Sequence, residues 1–270
     1  MRWIKLLLVL ALNAIPFYGA MYLGWSVSTI LALYWVENVM VIVATSARIV
    51  LHRRLTRKCG HWGGAQPAVE DGVTWIPTNA NAFLREYLGL CVVFTLAHGI
   101  FVAAIVFGMH QKHPDDTLWQ FSFDQFRNGV AGMAAVLAAD LLADAGVLRR
   151  RSFAWLKIHV DRRSARVLIL HIALIAGMFA IVTTDSPLAL LGVLIGLKTL
   201  VDLSAAWYGE REHMDDLPAE PPAWSLKLVS AGGDAARTKF IENWRGDVER
   251  QRESALRCEQ VMPDRDVAAS

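Results

Sequence analysis

Seven ionisable side chains lie well inside stretches otherwise fit for lipid. They are Glu37 in Ser26–Leu51, His98 in Tyr87–Met109, Asp140 and Asp144 in Gly129–Leu148, His171 in Ala165–Thr184, and Lys198 with Asp202 in Pro187–Tyr208. A bare charge at mid-bilayer costs roughly 2.5–3.5 kcal/mol on insertion scales, so such groups turn toward partners or water. Carboxylates, imidazoles and an amine gathered at one depth could relay protons, hold a cation or orient a polar solute. With Asn38 beside Glu37, the candidate polar site is Glu37, Asn38, His98, His171, Lys198, Asp202 and Asp140. A helix rises about 1.5 Å per residue, which brings six of the seven ionisable groups into a slab about 10 Å thick. Only Asp144 falls nearer a span end.

Spacing refines these candidates. Lys198 and Asp202 are four apart, share a helix face and can pair. Mutual neutralisation for insertion alone would explain them, although a half-paired Lys198 could also hold Glu37 from a neighbouring helix. Asp140 and Asp144 are also four apart, and like charges on one face repel. Two carboxylates could bind a cation or carry protons; the plainer expectation is that Asp144 reaches the interface beside Arg149 or Arg150 and leaves only Asp140 buried. His98 and His171 suit hydrogen bonds across helices. Combined with Asp202 they would also make a nitrogen-and-oxygen ligand set for a divalent metal, with Glu37 as a base. No HxxxH or HExxH spacing supports that metal set. Cys59, His61 and His52 lack paired ligand spacing, and His110, His113, Asp115 and Asp116 around Pro114 read as a solvated turn.

The elements that must carry these residues are membrane helices. Hydrophobic residues make up 54% of the 270-residue chain and the mean hydropathy is +0.34. Apolar runs of about twenty residues match the length needed to cross a ~30 Å hydrocarbon core. Six are expected: Trp3–Leu23, Ser26–Leu51, Tyr87–Met109, Gly129–Leu148, Ala165–Thr184 and Pro187–Tyr208. The fold class is therefore an all-α polytopic helical bundle. The first run is expected to stay as a helix, since Tyr18 occupies a position where signal cleavage after Ala20 wants a small residue. Asn13 and Pro16 should bend it.

Basic residues concentrate at Arg53, Arg54, Arg57 and Lys58 and again across Arg149–Arg166. By the positive-inside rule both loops and both termini are cytoplasmic and the location is the cell inner membrane. The second basic stretch alternates with Phe153, Trp155, Leu156 and Val160 and is expected as a short interfacial helix or connector on anionic headgroups. Anionic lipid explains the basicity, so nucleic acid is not an expected partner. Trp3, Trp119, Trp155 and Trp207 should form an aromatic belt. Three cysteines without a CxxC pair argue against a disulfide scaffold.

The domain expectation is a transmembrane part, residues 1–208, and a cytoplasmic tail, residues 209–270. Pro218, Pro221 and Pro222 should end any helix running on from the last span. An amphipathic helix is expected over Ala235–Arg257, with Phe240, Trp244 and Val248 on one face. That face could dock on the bundle or the membrane.

The strings Tyr34-Trp35-Val36-Glu37-Asn38-Val39, Leu96-Ala97-His98-Gly99-Ile100-Phe101, His171-Ile172 and Leu197-Lys198-Thr199-Leu200-Val201-Asp202-Leu203 occur in that order. With Arg211-Glu212-His213 they resemble the bacterial and archaeal membrane proteins of domain-of-unknown-function family 6498. The resemblance covers about Leu31 to His213. It implies a multi-pass fold and a recurrent polar set, and no chemistry. The residues themselves favour a transporter-like role, the handling of an ion, proton or small solute with Glu37 as the titrating group. An intramembrane metal-dependent hydrolase and a non-catalytic scaffold with a partner-binding tail are the alternatives. The solute and a homo-oligomeric assembly stay open.

Overall fold

A computed structural model describes residues 2–63, 81–184, 187–208, 220–230 and 233–262. Among them the chain is helical: α1 (Arg2–Tyr22), α2 (Val27–Thr56), α3 (Gly60–Gly63), α4 (Ala82–Lys112), α5 (Phe123–Leu148), α6 (Phe153–Thr184), α7 (Pro187–Tyr208), α8 (Ala223–Ser230) and α9 (Asp234–Glu259). Five helices are long and apolar enough to cross a membrane: Trp3–Tyr22, Val27–Thr56, Ala82–Lys112, Phe123–Leu148 and Leu190–Trp207. The remaining expected span, Ala165–Thr184, is the second part of α6.

Helix α2 is the hub of the bundle. It packs against α1, α4, α5, α6 and α7, which follow one another around it in the order α5, α1, α7, α6, α4. Its apolar window is 67% buried, against 22–33% for the other four helices, which is the behaviour of a helix apolar on all sides. Local chemistry sets its limits. The Ser26 side chain accepts from Thr29 N, and Arg57 closes the far end in the left-handed region at φ 53°, its N–H donating to Arg53 O. The tight turn before Ser26 needs Gly24, at φ 62°.

Apolar packing forms layers along α2. Val27, Ile30, Leu31 and Tyr34 join Val102, Ile105, Trp119, Leu174 and Leu194 at one end. Ile42 and Ile49 join Phe83, Tyr87, Leu148, Leu156 and Val160 at the other. Glu37 and Asn38 fall between the two layers and are fully buried. Helices α6 and α7 cross closely at Gly177, where a Cβ would sit 2.3 Å from Leu190 Cδ1. A side chain there would have to displace that of Leu190, and Leu190 O would lie 3.3 Å from its Cβ.

Two expectations change here. The Arg149–Arg166 stretch is not a separate surface helix, because α6 starts at Phe153 and runs unbroken to Thr184. Phe153, Trp155, Leu156 and Val160 are core residues; no glycine or proline between Phe153 and Thr184 interrupts the helix before Gly177. Ser152 Oγ accepts from Trp155 N and Glu259 Oε1 accepts from Ala154 N, so a tail carboxylate sits at the helix start where the dipole favours it. Trp119 and Trp155 are buried in the core, whereas Trp3 and Trp207 are exposed. The turn around Pro114 is exposed, as a solvated turn should be, and within it the Asp116 carboxylate accepts from Leu118 N at 2.9 Å.

The tail helix α9 matches the expected amphipathic segment within two residues at each end. Val248 is buried, and Phe240 and Trp244 stack loosely with centroids 6.3 Å apart. Its far end returns to the bundle: Cys59 N donates to Gln260 O at 2.7 Å and Met262 N to Arg57 O at 2.9 Å. Lys58 also pairs with Glu259. The three cysteines are free and buried.

Candidate functional site

The centre of the bundle holds one ammonium between two carboxylates. Lys198 Nζ, on α7, lies 3.1 Å from Glu37 Oε1 and 3.0 Å from Asp202 Oδ2. It also donates to Asn13 Oδ1 at 2.6 Å. Asn13 Nδ2 in turn donates to Asp202 Oδ2 at 3.1 Å, and Lys198 Nζ sits 5.5 Å from the centre of the Tyr34 ring. The four-residue spacing places Lys198 and Asp202 on the face of α7 toward α1, and Glu37 comes from the hub helix. The whole group is sealed: Glu37, Asn13 and Lys198 are at most 3% exposed and Asp202 is 7% exposed. Three hydrogen-bonding partners on Lys198 satisfy an ammonium's three donors.

A second cluster is built around two aspartates of α5. Arg48, inside the hub helix, donates through Nη2 to Asp140 Oδ2 at 2.5 Å and through Nε to Asp144 Oδ2 at 2.8 Å. Lys5 Nζ bridges the same pair, 2.6 Å from an oxygen of each. Arg163 adds a contact to Asp140 at 3.3 Å. Both aspartates are therefore buried, contrary to the expectation that Asp144 reaches the interface. The physical reason is Arg48: a buried guanidinium forks between the two carboxylates and cancels the repulsion that spacing alone implies. The same pairing leaves the carboxylates engaged with cations from this chain instead of poised for an added one.

A cavity of about 120 Å³ joins the two clusters. Asp202 reaches it from the first, and Lys5, Asp140, Asp144 and Arg163 from the second. His159, Arg151 and Arg162 form another part of its wall. Burial holds His159 well below its ordinary value, with Arg163, Arg48 and Lys5 pushing the same way, so the imidazole is neutral.

The structure thus brings Glu37, Lys198 and Asp202 together and places Asp140 in a neighbouring network. Asn38 and His98 are buried on α2 and α4. Near His98, Trp35 Nε1 donates to Thr95 O at 2.9 Å and the indole lies against Gly99. His171 lies in α6, but its side chain is outside the described residues. Among the described residues no three His, Cys, Asp or Glu side chains gather as a metal set, and Asp202 is already engaged by Lys198 and Asn13. Sequence reasoning missed Arg48, Lys5, Asn13 and Arg163. Arg48 carried the signal: an arginine within Ser26–Leu51, about as deep from its end as Asp144 is from its own.

A second polar pair closes one end of the bundle. His52 Nδ1 and His61 Nε2 are 2.8 Å apart, and His52 Nε2 faces Arg151 O at 3.1 Å. The basic ends of α2 and α5 therefore meet at that end. His61 is packed edge-on against Phe83 and Phe153, and burial drives it down to about 3, helped by His52, Arg53 and Lys58.

Comparison with known proteins adds a family and no chemistry. The profile of a family of unknown function, DUF6498, matches residues 1–220. No curated protein matches the chain, and no solved structure matches it.

Proposed function

Since the chain belongs to the family of unknown function DUF6498, which supplies no reaction, we propose from the geometry that it is an inner-membrane helical bundle that handles protons. The carrier is the Lys198–Glu37–Asp202 group, and proton movement there would accompany an ion or small solute. The observation that carries this reading is a buried, connected set of ionisable groups at the centre: Lys198 Nζ lies 3.1 Å from Glu37 and 3.0 Å from Asp202. Ionisable groups buried inside a membrane bundle are costly and mark ion pathways or proton relays, and carboxylates linked through an ammonium can exchange a proton with little movement. Asp202 lies on the cavity wall, which supplies a route toward the end where Lys5 and Arg163 lie.

The membrane part of the proposal draws on the outer surface. Ile100, Leu142, Phe179 and Leu200 are 68–73% exposed on four different helices. Apolar side chains spread around a bundle whose centre is ionic suit a lipid solvent. The clusters Arg53–Lys58 and Arg149–Arg151 share one end, which supports a cytoplasmic assignment for that end.

The test is proton flux into vesicles containing the full chain and a pH-sensitive dye. Glu37→Gln keeps shape and hydrogen bonding but removes a titrating carboxyl. It should insert normally and abolish flux, whereas Asp115→Asn on the outer turn should leave flux intact. Infrared difference spectra across a pH titration give a second readout. A protonated-carboxyl band should be present in the parent and lost in Glu37→Gln or Asp202→Asn. Parental flux and an unchanged band in both variants would overturn the proposal.

A further inference from the structure

The cavity beside Asp202 has a composition that proton handling does not require. One wall is apolar: Leu8 and Leu12 from α1, Val136 from α5, and Val201 and Ala206 from α7. The rest of the lining includes four basic side chains, Lys5, Arg151, Arg162 and Arg163. Behind these stand Arg48 and Lys198. Against the six cations the cavity and its backing clusters offer four carboxylates, Asp140, Asp144, Asp202 and Glu37. Each of the four already has a cationic partner within 3.1 Å. Within the described lining, two buried side-chain nitrogens remain to be accounted for. Among the described residues, Arg162 Nη1, a donor, and His159 Nε2, a donor in one of its two neutral tautomers, are buried without a hydrogen-bond partner. Buried donors of this kind are uncommon, because each forfeits the hydration it had in water.

The aromatic and cationic side chains at the mouth are held in place. Arg151 stacks over the Trp155 ring at 5.0 Å, and Trp155 stacks on His159 with centroids 5.1 Å apart. Arg163 is anchored by Asp140. Guanidinium groups fixed in this way match the oxygens of a phosphate, which accepts several charge-assisted bonds at once. At about 120 Å³ the cavity is smaller than the roughly 300–1,000 Å³ pockets that enclose whole drug-sized ligands. It has space for a headgroup, with any hydrocarbon left outside.

We infer that this cavity binds the phosphate headgroup of an anionic phospholipid. Arg162, Arg163, Arg151 and Lys5 hold the phosphate, and the acyl chains lie outside the cavity in the bilayer. The inference rests on the membrane reading above but not on proton handling. Arg162 and His159 act on the phosphate, while Glu37 lies outside the contact.

The full chain, purified in a nonionic detergent, would be titrated with four probes: dioleoyl phosphatidic acid, dioleoyl phosphatidylcholine, glycerol 3-phosphate and inorganic phosphate. Occupancy is read by native mass spectrometry and by the thermal midpoint. Phosphatidic acid should bind and raise the midpoint, with phosphatidylcholine at least tenfold weaker. Arg162→Gln should weaken phosphatidic acid about tenfold or more, as loss of a charge-assisted bond requires. Exposed Arg245→Gln should not. Ala206→Leu, which fills the cavity without touching charge, should also lose the lipid, so the inference stays testable if Arg162→Gln misfolds. Equal binding of both lipids, or full binding by Ala206→Leu, would overturn it. If inorganic phosphate or glycerol 3-phosphate matches phosphatidic acid, the site takes a soluble phosphate and the lipid assignment fails. Glu37→Gln should bind phosphatidic acid like the parent, so a failed flux experiment and a failed lipid experiment remain separate results.

Discussion

Lys198 is held by more than its i+4 neighbour, and this changes what a substitution there does. Spacing alone pairs it with Asp202, but the bundle adds Glu37 from α2 and Asn13 from α1. Removing the ammonium leaves two carboxylates facing each other with no cation between them. Lys198→Met should therefore destabilise the protein by about 3–5 kcal/mol, the usual cost of stranding a buried charge. Adding Glu37→Gln and Asp202→Asn to Lys198→Met should recover most of that loss, because no charge then remains to strand. Thermal midpoints in detergent check this. Additive losses across the three positions would show that the groups do not act as a unit. Arg48 shows the same physics on the other side of the hub, where one guanidinium reconciles two aspartates that would otherwise repel.

At the scale of elements, one short helix carries a pH dependence for the whole end of the bundle. Helix α3 inserts His61 between Phe83 of α4 and Phe153 of α6, against His52 of α2. Burial lowers His61 from 6.5 to about 3. Between those values the unfolded chain takes up a proton that the folded chain refuses, so stability is complete above about 6.5 and falls as the pH drops toward 3. The slope from one such group approaches about 1.4 kcal/mol per pH unit. His61→Leu should flatten this acid limb, measured as thermal midpoint against pH from 7 to about 4. An unchanged slope would mean that another group governs acid stability. Helix α6 illustrates the related point that a basic–apolar stretch can be core. Its first turns are capped by Ser152 and by Glu259 from the tail, and their apolar residues are covered by α2, α4 and α9.

For the molecule as a whole, orientation is the property to measure. Both basic loops and the end of α9 meet at one end of the bundle. The turn containing Asp116 is joined through Thr29 and Ser28 to the opposite end of α2. Cysteine-substitution labelling with an impermeant reagent in intact cells should modify a probe at Gln111 and miss one at Arg150. Strong outside labelling at Arg150 would invert the topology. The same arrangement makes the tail part of the molecule's closure, since Gln260 and Met262 are hydrogen-bonded to the segment after α2.

Composition and periodicity determined a great deal here because both are local. Apolar runs about as long as a bilayer is thick need helical backbone to satisfy their own polar groups, and α2, α4, α5 and α7 contain the expected stretches. Pro187 and Tyr208 bound α7 as the run itself does. Depth along a helix also follows from residue count, so Glu37 and Lys198 could be placed near one level. Azimuth could not be obtained this way. Which way α1 turns Asn13, which way α2 turns Arg48, and that Lys5 reaches Asp140 and Asp144 all depend on helices crossing more than 90 residues apart in sequence. The family pattern held the acidic and basic residues in common view but not their partners. Charge pairing in a low-dielectric interior is a matter of a few ångströms, and only the tertiary arrangement sets those distances.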